Sequence, residues 1–215
     1  MRLIKMFGLA GLVTATAMAL IGASTATAGS TAFCTLNVTP CPSLNIYTGH
    51  VELKLKSGTQ LLLLTSFGTI HCKESTLLGT ALGLNTTAEL HLVPLTIKSC
   101  VLLLPFFGEH PCTVTALEAL ALILRTAVNL GEVKTDNVDV LIQCEKESFH
   151  CRYTGIPVLH IVGGKSAAHP LAERALLKAS GAKLTRAEEL SLCPSETLWD
   201  AEYNLTLPLE LFITA

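Results

Sequence analysis

Apolar and polar side chains alternate along several stretches of the chain. The clearest stretch runs from Trp199 to Leu207, where every second residue is apolar and the residues between are polar. A similar alternation, with small interruptions, occurs at 51–56, 88–92 and 138–143. Because successive side chains of a β-strand point to opposite faces, this period predicts strands that bury one face and expose the other. Strands of this kind are typical of antiparallel sheets.

Two short segments, 61–64 and 101–104, are apolar without interruption, and we expect them to be central strands covered on both faces. Glycines between the apolar segments indicate turns. They are Gly49, Gly58, Gly68, Gly83, Gly108, Gly131, Gly155, Gly163, Gly164 and Gly181. Many short strands joined by frequent turns predict a mainly β, single-domain fold, either an antiparallel sandwich or barrel-like.

Two regions fit this scheme less well. Leucine and alanine in 116–128 have helical spacing, although an alternating strand also fits the same residues. In 170–192, Thr185 and Glu188 have the spacing of a capping box, which usually begins a helix. Gly181 interrupts that region and leaves each half short for a helix. The pattern of residues alone leaves strand and helix open in both regions.

The N-terminal residues 1–28 have the features of a cleaved signal-peptide helix. Arg2 and Lys5 give a basic start, 7–23 is an apolar run, and 26–28 offers the small residues that signal peptidase requires. The apolar run is rich in alanine, glycine and threonine and lacks a basic stop, unlike a permanent membrane span. We therefore expect export, cleavage and no membrane span in the mature protein.

The remaining residues, 29–215, are predicted to form one secreted β-rich domain. The first 28 residues carry two of the 15 basic residues and no acid, so the mature chain has a net charge of −4. Half of the full chain is apolar, which excludes a disordered protein. A sequence pI near 6.4 gives no basic surface for nucleic acid.

All eight cysteines lie in the predicted mature domain, and an even number in an exported chain indicates disulfides. Proximity in sequence suggests three local pairs, and the two cysteines left over would join an early strand to a late one. The predicted pairs are Cys34–Cys41, Cys100–Cys112, Cys144–Cys151 and Cys72–Cys193. Zinc is the alternative, but the chain has no C-x-x-C pair, so no metal ligand is predicted.

A set of short motifs, most of which contain a cysteine, is spread from residue 70 to the C-terminus. They are Ile-His-Cys-Lys-Glu-Ser at 70–75, 78–80, 97–100, 112–115, Cys144, 151–153, 193–206, Pro208, Leu211 and Phe212. In these motifs the chain resembles a group of exported, cysteine-bearing proteins of unknown function from actinobacteria. The resemblance implies an all-β secreted fold, and so favours strands at 116–128 and 170–192. It implies no activity and no site residues.

Motifs for catalysis are missing from the sequence. There is no G-x-S-x-G, no H-E-x-x-H and no phosphate-binding loop. The seven histidines are scattered and are expected on the surface. The carboxylate pairs Glu145 with Glu147 and Asp200 with Glu202 are expected to be solvated, because no aromatic cleft accompanies them. We predict no catalytic, cofactor-binding or metal-binding residue.

Three roles are compatible with this sequence. The leading hypothesis is a non-enzymatic binding or structural domain, secreted or on the outer side of the cell envelope, whose partner is a surface polymer or a protein. A second is a carrier of an apolar ligand, enclosed in a β-shell lined by 61–64, 101–104 and 120–124. A third is a secreted hydrolase with an unrecognised site.

Overall fold

The computed structural model describes residues 31–83, 88–92, 95–105, 108–116, 119–127, 129–145, 149–164, 174–188 and 193–214. The predicted signal peptide lies outside these residues. Within them, the chain forms fifteen strands and one 3-10 turn, Ser43–Asn45, and no α-helix. The strands are β1 (Ala32–Cys34), β2 (Gly49–Leu55), β3 (Leu61–Leu64), β4 (Thr69–Gly83), β5 (Ala88–Leu92), β6 (Thr96–Leu104), β7 (Gly108–Ala116), β8 (Ala119–Ala127), β9 (Leu130–Thr135), β10 (Val138–Cys144), β11 (Phe149–Gly155), β12 (Val158–Val162), β13 (Leu176–Arg186), β14 (Glu196–Leu207) and β15 (Phe212–Thr214).

Thirteen of these strands form one antiparallel sheet that closes on itself. Strands β4, β13 and β14 are long, and the others lie end to end in consecutive pairs: β2 with β3, β5 with β6, β7 with β8, β9 with β10, and β11 with β12. This gives eight strand positions, each antiparallel to the next in chain order. Strand β14 returns to pair with β2 and β3. The predicted mainly β, antiparallel, barrel-like class is therefore confirmed.

Alternation along the strands places one set of side chains inside the barrel. In β14 the side chains of Trp199, Ala201, Tyr203 and Leu205 are buried, and those between them are partly exposed. The inward residues of the other strands join them in one core cluster. An eight-stranded barrel has an interior that side chains can fill. The alternation predicted for 199–207 therefore describes the inner and outer faces of a barrel wall as far as Leu205. Leu207, which the alternation places on the inner face, is exposed instead, because the pairing with β2 shifts register between Leu205 and Leu207.

A short ribbon of β1 and β15, one from each end of the described chain, closes one end of the barrel. Both strands are buried along their whole length. Phe33 and Ile213 belong to the core cluster, and β1 contacts β4. Thr31 Oγ1 accepts a hydrogen bond of 3.1 Å from the backbone N–H of Arg125, near the end of β8. We call this pair of strands the terminal ribbon.

One side chain fastens the terminal ribbon to the barrel rim. Asn129 lies in the turn between β8 and β9 with φ 58°, a left-handed conformation that asparagine tolerates. Its Oδ1 accepts from the N–H of Ile213 at 3.1 Å, and its Nδ2 donates to the carbonyls of Gly163 (3.1 Å) and Gly164 (2.8 Å). The N–H of Gly164 in turn donates to the carbonyl of Leu211. This set of bonds is the Asn129 clamp.

Where they are described, the two ambiguous regions are mainly strand and contain no helix. Residues 119–127 form β8, and 176–186 form β13. Thr185 caps no helix: it lies inside β13, where its hydroxyl donates to the carbonyl of Thr154. Residues 174–175 and 187–188 flank β13 without belonging to a strand, and 170–173 and 189–192 lie outside the described residues.

Two of the predictions made from the sequence are wrong. The apolar runs are not covered on both faces: Leu61 and Leu63 are buried, whereas Leu62 and Leu64 are half-buried, because a barrel wall has only one inner face. Some glycines mark features other than turns. Gly131 lies within β9, and Gly181, with φ 59°, lies at a bulge within β13 where its pairing with β14 shifts register.

Candidate functional site

All eight cysteines form disulfides, as predicted, but three of the four predicted pairs are wrong. The pairs are Cys34–Cys41, Cys72–Cys100, Cys112–Cys144 and Cys151–Cys193. Only Cys34–Cys41 was predicted. Cys144 and Cys151 share a hairpin, but the register places Cys144 opposite Phe149. The two cysteines are diagonal neighbours, which in a sheet lie about 7–8 Å apart, farther than a disulfide usually spans.

Four of the cysteines form a single row across four adjacent strand positions. Cys72 of β4 is opposite Cys100 of β6, Cys100 is also opposite Cys112 of β7, and Cys112 is opposite Cys144 of β10. We call these four residues the cysteine row. The disulfides join its first two and its last two members, with Cα–Cα distances of 4.0 and 4.1 Å. Pairing Cys100 with Cys112 instead would leave the two outer cysteines three strands apart, so only the observed pairing gives two bonds.

The outer surface of the barrel carries a groove between β2 and β4. It has a volume of about 400 Å³ and is lined by His50, Glu52, Leu78, Thr80 and Leu207, together with the backbone beside them. The register explains the grouping, since His50 is opposite Thr80, and Glu52 is opposite both Leu78 and Leu207. We call it the outer groove. Its polar side chains stand beside two exposed leucines.

The charge of the outer groove comes from Glu52. Its carboxylate lies 3.0 Å from Lys54 Nζ and accepts a hydrogen bond of 2.9 Å from the Thr206 hydroxyl. These two partners lower the pKa of Glu52. The carboxylate is therefore ionised at neutral pH and can accept hydrogen bonds from a ligand in the groove. His50 is exposed beside it and offers a ring nitrogen.

The second candidate carboxylate pair, Asp200 and Glu202, makes local polar contacts, and Glu202 belongs to an ion-pair network. Glu202 lies 2.8 Å from Lys56 Nζ and 3.3 Å from Lys178 Nζ, and hydrogen bonds from both lysines lower its pKa. Asp200 accepts a hydrogen bond from the backbone N–H of Gly181. A glycosidase acid needs a raised pKa, so the lowered pKa of Glu202 does not suit that role. The solvated interpretation of these two residues fits their partners.

The first carboxylate pair and the histidines are placed as follows. Glu145 is exposed, and Glu147 lies outside the described residues. Five of the six described histidines fit the surface expectation: His50, His71, His91, His150 and His160. His169 is not described.

His110 is the exception to the surface expectation. It pairs with Leu102, an inward residue, and both of its ring nitrogens are buried with no hydrogen-bond partner among the described residues. The signal in the sequence was its spacing: His110 lies four and six residues before Val114 and Ala116, which are buried on the same strand, and residues an even number apart on a strand share one face.

The polar groups inside the barrel were not predicted from the sequence, because they do not interrupt the alternation of apolar and polar residues. The Tyr203 hydroxyl lies 3.1 Å from Ser75 Oγ, and both residues are buried. Burial raises the pKa of Tyr203, and it raises the pKa of Tyr153 to about 12. Each phenol is therefore neutral across the physiological range. Their partners and burial describe core packing rather than acid–base chemistry.

The leucines proposed as the lining of a ligand shell divide between two faces. Leu61, Leu63 and Leu102 point inward and belong to the same core cluster as Phe33 of the terminal ribbon. Leu122 and its neighbours on the same face of β8 are partly exposed. The interior leucines thus pack against the chain's own side chains.

Within the described ranges, no three His, Cys, Asp or Glu side chains are grouped so as to hold a metal ion. No helix in the described part of the chain has the length and hydropathy of a membrane span. Comparisons with protein families, curated proteins and solved structures find no match for this chain.

Proposed function

We propose that this chain is an exported, disulfide-stabilised β-barrel that acts at or outside the cell envelope as a non-enzymatic binding or structural domain. Its partner, an envelope polymer or another protein, binds the outer surface at the outer groove. The sequence of the leader and the resemblance to exported actinobacterial proteins support export. Four disulfides support an oxidising compartment, because disulfides persist outside the cytoplasm.

The observation that carries this proposal is the filled interior of the barrel. The terminal ribbon covers one end of the barrel, and its Phe33 packs with the inward residues of the wall. A ligand inside would have to displace the packed core side chains and, at this end, also the ribbon and the Asn129 clamp. The outer surface is accessible without any such change, so recognition on the outside is the simpler use of this fold.

The outer groove has chemistry that suits a neutral, hydroxyl-rich partner. The ionised Glu52 accepts hydrogen bonds, Thr80 can donate or accept, and Leu78 and Leu207 give an apolar surface. Sugar rings present hydroxyls at the edge and C–H groups on the face, which match these two kinds of contact. The net charge of −4 on the predicted mature chain disfavours a strongly anionic polymer.

The test is co-sedimentation of the mature protein with washed bacterial cell walls, comparing a groove variant with a matched control. Leu78→Asp places a second carboxylate opposite Glu52, and we expect at least a tenfold loss of affinity, or about 1.4 kcal/mol. Leu141→Asp changes a leucine of similar exposure, 37% against 44%, on β10, and should bind as the unaltered protein does.

The outcomes separate the partners. Retention that survives protease treatment of the walls identifies a polymer, and retention lost with the wall proteins identifies a protein. Equal binding by both variants, or no retention of the unaltered protein on either preparation, contradicts the proposal.

A further inference from the structure

The geometry of the cysteine row permits a third disulfide that is not present in the structure. A residue in an antiparallel sheet directs its N–H and C=O to one neighbouring strand only. A residue in a close, non-hydrogen-bonded pair on one side is therefore in a wider, hydrogen-bonded pair on the other. The Cα–Cα distances of 4.0 and 4.1 Å identify the two bonded pairs as close ones. Cys100 and Cys112 are then the wide pair, with Cα atoms about 5.5 Å apart.

The wide pair has the spacing that disulfides prefer. Most disulfides join Cα atoms about 4.4–6.8 Å apart, most often near 5.5–6 Å. The two bonded pairs lie below that range, whereas Cys100 and Cys112 lie near its centre. While the row is fully oxidised, the close pairs persist because they alone allow two bonds. Once one of them is lost, that advantage disappears.

We propose that the cysteine row is a two-electron redox device, in which a small dithiol reductant shifts the row from its two outer disulfides to the single central disulfide Cys100–Cys112. The barrel keeps its strand register, because the new bond joins residues that already face each other on β6 and β7. Cys72 and Cys144 become thiols. This device is independent of the partner suggested for the outer groove.

Exposure determines where the reaction begins. Cys72, Cys100 and Cys144 are buried, with at most 4% of their surface exposed, and Cys112 is only partly buried. A dithiol thiolate attacks Cys112 Sγ, and Cys144 leaves as a thiolate and is protonated. The second thiol of the reductant then closes its own cyclic disulfide and releases the Cys112 thiolate.

The second step is an exchange within the protein. The Cys112 thiolate attacks Cys100 Sγ, the bond between Cys72 and Cys100 breaks, and Cys72 leaves as a thiolate that takes up a proton. In total, the dithiol is oxidised by two electrons, and two protein disulfides become one disulfide and two thiols.

Trypsin distinguishes the possible products because no lysine or arginine lies between Cys100 and Cys112. Cys72 falls in peptide 57–73, Cys144 in 135–146, and the two central cysteines together in 99–125. The native protein should yield all three peptides cross-linked. The folded protein is treated with one equivalent of dithiothreitol, alkylated and digested without reductant.

The shifted product releases peptides 57–73 and 135–146, each with one alkyl group, and an unlabelled 99–125 that is two hydrogens lighter than its reduced form. A peptide 57–73 still linked to 99–125, with labels on the other two cysteines, overturns the proposal. So does loss of both disulfides together, or resistance to a dithiol excess that reduces the unfolded chain.

A pair of double variants gives a second, independent readout. Cys72→Ser with Cys144→Ser leaves the central pair, which should oxidise fully to Cys100–Cys112 in a protein with unchanged strand content by circular dichroism. The matched control, Cys100→Ser with Cys112→Ser, leaves cysteines about 14 Å apart, three strand spacings, and should keep two titratable thiols. A folded first variant whose two central cysteines remain free thiols overturns the proposal.

Discussion

The Asn129 clamp offers the sharpest test of how the terminal ribbon is held. Asn129→Ala removes three side-chain hydrogen bonds, one from the N–H of Ile213 and two to the carbonyls of Gly163 and Gly164. It also leaves an alanine in a left-handed conformation with φ 58°. Asn129→Gly removes the same bonds but adopts that conformation freely.

The expected losses follow from these two terms. Each hydrogen bond contributes about 1 kcal/mol, so the three together contribute about 3 kcal/mol. The left-handed conformation costs an alanine about 1 kcal/mol or more. We therefore expect the free energy of unfolding to fall by about 4 kcal/mol for Asn129→Ala and by about 3 kcal/mol for Asn129→Gly.

The assay is equilibrium unfolding in urea with the disulfides intact, followed by the fluorescence of Trp199, the only tryptophan of the chain. Trp199 is buried in the barrel wall, so its emission reports exposure of the core. An alanine variant within about 0.5 kcal/mol of the unaltered protein refutes the clamp. A glycine variant less stable than the alanine variant refutes the conformational part of the reasoning.

Three further predictions follow from the same structure. Gly163→Ala should lower the free energy of unfolding in urea by about 3 kcal/mol, because a Cβ at this position would lie 1.9 Å from the Asn129 side chain and displace it. Combined with Asn129→Ala, it should cause little further loss, because both changes remove the same clamp; fully additive losses would contradict this. Burial raises the pKa of Tyr153 to about 12 and also raises the pKa of Tyr203, whereas a tyrosine in the unfolded chain has a pKa of about 10. The folded protein should therefore lose stability as pH rises above about 10, and an absorbance titration should show both phenols ionising together with unfolding. Ionisation of these phenols at about pH 10 while the barrel stays folded would contradict this. Glu202→Gln should lower the free energy of unfolding by less than about 1 kcal/mol at neutral pH, because its ion pairs are partly exposed. The difference between the two proteins should vanish as pH falls through the lowered pKa of Glu202, which urea unfolding at several pH values would measure. A difference that persists in acid would exclude the ion pairs as its cause.

The local part of the fold was predictable from the chain. Period-two alternation identified β2, β10 and β14, because a wall with one inner face imposes that pattern on each strand. Strand β11 was missed, since cysteine and tyrosine occupy its inner positions and glycine ends it. The closure of β14 onto β2 and β3 depends on residues more than 130 positions apart, such as Trp199 and Leu63, and no local pattern encodes it.

The cysteines show the same division. Their even number, together with the predicted export, predicted that all of them form disulfides, because disulfides persist in oxidising compartments. Their pairing depends on register: Cys100 faces both Cys72 and Cys112, so proximity in sequence could not choose between them. The outer groove was equally hidden, because His50 and Thr80 become neighbours only through the pairing of β2 with β4.

The most direct test of this fold and its disulfides is a non-reducing peptide map of the native protein. We expect no free thiol, and a single cross-linked tryptic species that contains 57–73, 99–125 and 135–146, which requires β4, β6, β7 and β10 to lie side by side in the stated register. An internal disulfide within 99–125 in the fully oxidised protein, or a link between Cys144 and Cys151, would contradict it.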